Sequence, residues 1–268
     1  KVQRMLNEIG YETKIVPIKS TGDIVLNKPI YELGITGVFT RNLDIALLNN
    51  EIDIAVHSMK DVPTVLPEGI IQAAVLKRAN YSDILVLKDT EEFFARKEAT
   101  IATGSLRRKA MWLNRFPTHT VVELRGNVNT RLQKLEDNDW NGAVFAAAGL
   151  ERIGKRPGGA VNLSWMISAP AQGAIMVASL AKDDFVKDAC EQLNHHETEV
   201  CVSIEREFLH RLEGGCTAPI GALAMIWDEE IKFKGVLFSP DGKNKMEFSK
   251  EVPINNASDL GEYGANYI

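Results

Sequence analysis

Between residues 13 and 150 the chain alternates short apolar runs with stretches of helical periodicity, and this alternation limits its fold more than any other feature. Strands are predicted at 13–18, 53–57, 70–76, 83–87, 100–102, 120–124 and 143–146, and helices at 40–48, 105–116 and 128–138. Runs bounded by turn residues read as strands, and apolar repeats every three to four residues read as helix faces. The alternation predicts an α/β fold with largely parallel sheets. From about residue 172 the pattern changes. Helices are predicted at 184–193 and 198–212, the second with Val200, Ile204, Phe208 and Leu212 on one stripe. Strands at 222–226, 231–238 and 246–252 follow, with turns such as Pro240-Asp241-Gly242, and a last helix starts at Asp259. This second part reads as a small α+β module. At the amino end Val2, Met5, Leu6 and Ile9 share a helical face with no capping residue ahead, so the chain is expected to enter in mid-helix.

At roughly 100–200 residues per domain, the 268 residues point to two domains, with one or three also open. With 45% hydrophobic and 25% charged residues the chain can bury real cores. There are 31 basic and 36 acidic residues, a net −5, which argues against a general nucleic-acid binder. No apolar run approaches the length of a membrane span. Cys190, Cys201 and Cys216 cannot all pair and match no zinc spacing. They fit a reducing compartment, the cytoplasm, and no metal is expected.

Three clusters carry chemistry. Between residues 100 and 131 stand Arg107, Arg108, Lys109, Arg115, Arg125 and Arg131 against one acid, Glu123. Such a run is either a solvated face or a positive field for a small polyanion. Its position bears on the choice. Thr103-Gly104-Ser105, Arg125-Gly126-Asn127 and Ala148-Gly149 with Arg152 each follow a predicted strand and open a helix. Ligands of open α/β sheets bind beyond the carboxyl ends of strands, and anions bind at helix N-termini. Ser105 can cap its helix in either case. Because helix neighbours diverge by about 100°, Arg107 and Arg108 are expected to hold different anionic groups.

The second cluster is His57-Ser58-Met59-Lys60-Asp61-Val62-Pro63, at the end of an apolar strand. It reads as a turn with a local ion pair or as an acid/base carboxylate beside a cation. The third is Leu212-Glu213-Gly214-Gly215-Cys216-Thr217-Ala218-Pro219, where glycines and a proline hold Cys216 in a loop. Structural and reactive readings of Cys216 both stand, whereas Cys190 and Cys201 lie in helical patterns and read as buried small hydrophobes. His195-His196 reads as the border of the following helix.

Together these segments resemble the hydroxymethylbilane synthase (porphobilinogen deaminase) family. Further matching segments are Leu124-Arg125-Gly126-Asn127-Val128-Asn129-Thr130-Arg131, Ala148-Gly149-Leu150-Glu151-Arg152, Pro170-Ala171-Gln172-Gly173-Ala174 and Leu193-Asn194-His195-His196-Glu197, all in family order. The resemblance implies an enzyme that condenses four porphobilinogen molecules with loss of ammonia to give hydroxymethylbilane. It implies a dipyrromethane primer joined to Cys216 as a thioether, and Asp61 as the catalytic carboxylate. Lys60, Ser58, Thr103, Ser105, Arg107, Arg108, Arg125 and Gly126 are implied to bind this cofactor, and Arg131, Arg152 and Gln172 the substrate. The partners implied are porphobilinogen and the growing oligopyrrole, with no nucleic acid and no membrane, and the chain is expected to act as a monomer.

The fold implied has two periplasmic-binding-protein-like lobes and a small α+β C-terminal domain. Their spans are 1–77 with 173–192, 81–167, and 195–268. Three departures stand out. Glu32 and Thr36 occupy loop positions where many members carry lysine, Gly104 replaces a common serine, and the family's first strand, with an arginine and a serine that contact the cofactor, falls before Lys1. A non-catalytic two-lobed binder of a carboxylate-rich ligand would suit the arginines equally, but would need neither Asp61 nor Cys216.

Overall fold

A computed structural model describes residues 1–19, 40–88, 90–212 and 218–268. Glu32, Thr36 and Cys216 lie outside these. The chain opens with α1 (Val2–Glu8), α2 (Arg41–Leu48), β1 (Ile54–Ser58), β2 (Ile70–Val75), β3 (Asp83–Leu87) and β4 (Thr100–Ala102). It continues with α3 (Leu106–Arg115), β5 (Thr120–Val122), α4 (Val128–Asp137), β6 (Gly142–Ala146), α5 (Ala147–Arg152), β7 (Val161–Asn162) and β8 (Ile175–Leu180). Then come α6 (Asp184–Glu191), α7 (His196–Arg211), β9 (Ile220–Trp227), β10 (Glu230–Phe238), β11 (Lys245–Pro253) and α8 (Leu260–Tyr267).

The strands form three sheets, ordered β1-β8-β2, β5-β4-β6-β3-β7 and β11-β10-β9. Strand period decides the two faces of the first sheet. Met176 and Ala178 on β8 pack with Ala55 and with Leu47 of α2, while Val177 faces Leu6 of α1 and Ala189 of α6. The second sheet is likewise covered twice. Leu85, Ile101 and Val144 meet Trp112 of α3, and Ile84, Ala102 and Phe145 meet Leu135 of α4 and Leu150 of α5. The third sheet is an antiparallel meander that stacks Phe233 and Phe248 against Phe208 of α7 and Leu260 of α8. Its Val236 and Phe238 also join the Trp112 core, so this unit packs on the second lobe.

Two expectations fail. The 13–18 segment is no strand: residues 11–19 join no ladder among the described residues, and Ile15 is 68% exposed. Ile15 and Val16 are exposed, while Ile18 packs against the first core. The sheets of the two lobes are also not largely parallel. Among the described residues only β4–β5 and β4–β6 are parallel, while β1–β8, β2–β8, β3–β6 and β3–β7 are antiparallel. The cause is connectivity. The chain leaves the first sheet after β2, builds the whole second sheet, and returns as β8 between β1 and β2. A strand returning from another sheet need not follow the local helical crossover that makes neighbours parallel.

The two crossings touch. Gly173 has φ +91°, and a Cβ there would stand 2.7 Å from the carbonyl oxygen of Ala79, so only glycine lets the crossings meet. Ala171 also takes a left-handed φ of +59°, which a side chain resists.

Candidate active site

The parallel strands β4, β5 and β6 end at one edge of the second sheet, and each hands over to a helix there. Short polar side chains start two of these helices. Ser105 Oγ accepts from the Arg108 amide at 3.4 Å, and Asn127 Oδ1 from the Thr130 amide at 2.9 Å. Thr103, which is buried, accepts from the Ser105 amide at 3.3 Å. Gly104 has no room for a side chain: a Cβ would lie 2.6 Å from the Leu124 carbonyl oxygen.

Arg107 and Arg108 share one protein carboxylate. Both reach Asp83, at the first position of β3: Arg107 Nη1 lies 2.7 Å from Oδ2, and Arg108 Nη2 2.8 Å from Oδ1. Long side chains on the first turn of α3 bend to one buried counter-charge and override the 100° divergence of their Cα–Cβ bonds. Arg107 also donates to the Ile167 carbonyl at 2.6 Å and Arg108 to that of Val144 at 3.0 Å. Burial opposes the charge of Asp83, but the two guanidiniums outweigh it and hold the carboxyl well below the usual range.

On the first lobe β1 ends at Ser58, opposite Ile175, and a single 3-10 turn, Met59–Asp61, carries Lys60 and Asp61. Lys60 Nζ donates to Gln172 Oε1 at 3.3 Å. The Gln172 amide nitrogen in turn donates to Asp83 Oδ1 at 3.0 Å and to the Tyr81 carbonyl at 2.7 Å. Gln172 is fully buried, and its amide joins the Met59–Asp61 turn of one lobe to the Asp83–Arg107–Arg108 cluster of the other. Burial pushes the Lys60 ammonium down to about 8; Asp61 and Asp83 oppose this, while Arg108 and Arg107 add to it.

Arg131 donates from Nε to the Gly126 carbonyl at 2.6 Å, and Arg152 from Nη2 to that of Gly173 at 2.9 Å. Arg125 stands 3.7 Å from Glu123. Burial lowers Arg131, and repulsion from Arg108 and Arg125 lowers it further, against the pull of Asp61 and Glu123. Burial also lowers His57, Arg108 and Arg152, and the Asp61 carboxylate opposes it at all three. Asp61 therefore stands within electrostatic reach of cations from both lobes. Lys60, Gln172, Arg107 and Arg108 are thus joined through Asp83, and Asp61 acts electrostatically on Lys60, Arg108, Arg131 and Arg152. Ser58 ends the strand before Lys60, Thr103, Ser105, Arg125 and Gly126 lie at the strand-to-helix junctions, and Cys216 lies outside the described residues.

The chain matches the family model described as "Porphobilinogen deaminase, dipyromethane cofactor binding domain" over residues 1–188, and "Porphobilinogen deaminase, C-terminal domain" over 199–267. It belongs to the porphobilinogen deaminase family. The porphobilinogen deaminase of Desulfitobacterium hafniense is 40% identical over 274 residues, covering 100% of this chain and 88% of that protein. The chloroplastic enzyme of Oryza sativa subsp. japonica is 42% identical over 262 residues, 95% of this chain and 73% of its own. The probable porphobilinogen deaminase of Methanocaldococcus jannaschii is 40% identical, with 98% and 91% covered. Among solved structures, an ancestral cationic amino acid solute binding protein aligns at a TM-score of 0.42 and 16% identity, over 71% of this chain and 76% of that one.

Sequence reading missed four charged residues that hold these segments together: Asp83, Arg78, Glu205 and Arg206. Two had a signal. Asp83 is an acid opening the apolar run Ile84-Leu85-Val86-Leu87, and Glu205 falls between Cys201 and Phe208 on the buried face of α7. A charge inside an apolar pattern implies a buried partner. Cys190 and Cys201 are buried free thiols, both pushed up to about 11 by burial, as small core residues should be. His195 caps α7 by accepting from the Thr198 amide at 3.2 Å.

Proposed function

We propose that this site condenses porphobilinogen, four molecules in turn, into hydroxymethylbilane with loss of ammonia, and that Asp61 is its catalytic carboxylate. The observation that carries the reading is the placement of Asp61 on the Met59–Asp61 turn, within electrostatic reach of Lys60, Arg108, Arg131 and Arg152. Each pyrrole unit carries an acetate and a propionate. Mutually repelling guanidiniums such as Arg108, Arg125 and Arg131 fit a ligand rich in carboxylates, which relieves that repulsion. The donor set thus suits the family's dipyrromethane, which supplies, when bound, the pyrrole end to which substrate is joined.

Lys60, Ser58, Thr103, Ser105, Arg125 and Gly126 would hold that group, with Arg107 and Arg108 contributing the single net charge they keep beyond Asp83. Arg131 and Arg152 would take the carboxylates of incoming substrate, and Gln172 would keep the two lobes in register. Asp61 would hold the pyrrole N–H of the incoming porphobilinogen and stabilise positive charge there as the C–N bond breaks. Cys216 would anchor the dipyrromethane as a thioether. We assign 1–77 with 173–192, 81–167 and 195–268 to three domains. The buried free thiols suit a cytoplasmic, reducing setting.

The test is steady-state kinetics of Asp61→Asn, with intact mass to confirm the attached primer. A loss of roughly 10²–10³ in kcat with KM little changed is expected. Turnover within a few-fold of the parent by fully primed Asp61→Asn would make Asp61 a turn residue only. Cys216→Ser should fold and carry no adduct.

A further inference from the structure

α7 belongs to the third unit, yet two consecutive residues on it reach into the other two. Glu205, fully buried, accepts from the amides of Ala171 at 2.6 Å and Ala224 at 2.8 Å. It also pairs with Arg78, whose Nη1 and Nη2 lie 2.6 and 3.0 Å from its two oxygens. Arg78 and Ala171 lie one on each crossing between the lobes. Glu205 therefore fixes α7 against both crossings and against β9, and leaves the helix no freedom to slide.

Arg206, the next residue, faces the first lobe. Its Nη1 donates to the carbonyls of Met59 at 3.4 Å and Val62 at 3.0 Å, and its Nη2 to that of Pro63 at 2.6 Å. These carbonyls flank Lys60 and Asp61. The turn is short, and its Met59 and Val62 side chains are buried in the core of the first lobe. Beyond the end of β1 it is held by Met59 N–H to the Ala174 carbonyl and Val62 N–H to the Met59 carbonyl, both at 3.1 Å. Pro63 has no N–H to offer. One planar guanidinium spans carbonyls on both sides of Asp61, which a lysine ammonium, a point donor, cannot reproduce.

We propose that Arg206 is a positioning residue for Asp61: from the third unit it clamps the Met59–Pro63 carbonyls and so sets where the carboxylate stands in the site. The proposal rests on the reading of Asp61 given above. It makes α7 a shared reference. The helix that fixes the turn also precedes Cys216 in the chain by a few residues. A misplacement of about 1 Å at a reacting group can cost on the order of a hundredfold in rate.

The experiment is a double-mutant cycle on primed holoenzyme with Asp61→Asn, Arg206→Met and both together, primer occupancy being read by intact mass. Arg206→Met is expected to lower kcat roughly ten- to a hundredfold with KM little changed. It should also speed hydrogen exchange across residues 59–66 while 83–87 stays protected. Combined with Asp61→Asn it should cost no further kcat, because there is no carboxylate left to place. Multiplying losses in the double variant, or unchanged exchange across 59–66 in Arg206→Met, would overturn the proposal. Full turnover by Asp61→Asn alone would instead sink the reading of Asp61, and the exchange result would still judge the clamp. If Arg206→Met does not fold, the same cycle is run on Arg206→Lys. That variant keeps the charge and should fall between the parent and Asp61→Asn; parent-like turnover and exchange from it would overturn the need for a guanidinium.

Discussion

The two sets of arginines at the candidate site are held in opposite ways. Arg107 and Arg108 sit inside the second lobe on one carboxylate, Asp83, which is itself fully buried. Arg131 and Arg152 stand nearer the rim, bonded to the backbone carbonyls of Gly126 and Gly173 and in no ion pair among the described residues. A carbonyl orients a guanidinium without neutralising it; a carboxylate does both. Both sets follow strand ends and both read alike in sequence. Whether a charge is available to a ligand is decided by its counter-charge, and that comes from elsewhere in the chain.

The largest expected effect breaks the inner set. Asp83→Ala leaves two buried guanidiniums without their partner and should destabilise the protein by about 3–5 kcal/mol, read by denaturant unfolding. A cost below about 1 kcal/mol would mean that water or ligand, not Asp83, balances the pair. The outer set should behave in reverse. Arg131→Gln and Arg152→Gln should leave unfolding free energy within about 0.5 kcal/mol of the parent yet weaken substrate binding by about 1.5–3 kcal/mol, seen in KM and in stalled intermediates by native mass spectrometry. Equal losses of stability in both sets would erase the distinction.

Lys60 sharpens it through pH. Its ammonium is held down to about 8 in the fold, against an ordinary 10.5, first by burial. It is charged below that value and neutral above, so kcat/KM should fall as pH rises through about 8, and Lys60→Arg should move the limb upward. Its effect on stability has the opposite sign. Between about 8 and 10.5 the unfolded chain binds the extra proton, so the contribution of Lys60 to stability rises with pH there. An activity limb that tracked unfolding would remove Lys60 from the site. The smallest effect concerns an uncharged group with no partner at all. The hydroxyl of Ser179, on β8, is buried and unbonded among the described residues. Ser179→Ala should stabilise the first lobe by up to about 1 kcal/mol in the same unfolding assay.

Local signals gave the elements well. Ser105 and Asn127 cap their helices because short polar side chains compete for free amides, and that competition is local. The 83–87 strand is recovered at its predicted bounds, and the 231–238 strand within one residue. The 13–18 run misled because an apolar run does not by itself pair as a strand: Ile15 and Val16 are exposed, while Ile18 packs against the first core. Sheet direction misled because β8 and β3 enter their sheets from a different sheet, a fact that periodicity does not encode.

The sequence by itself determined the strand and helix segments, the junctions that carry Lys60, Asp61 and the arginines, and the family. Those depend on neighbours within a few residues, or on motifs kept in order along the chain. Only the tertiary structure decided how these charges are partnered. Asp83 lies 24 residues from Arg107, Gln172 lies 112 from Lys60, and Arg206 lies 147 from Met59. Asp83 reaches Arg107 through packing within the second lobe, Gln172 reaches Lys60 through the second crossing of the chain, and Arg206 reaches Met59 through the docking of α7. No local preference specifies them, because a buried charge takes whatever counter-charge or carbonyl the packed fold sets within hydrogen-bond reach.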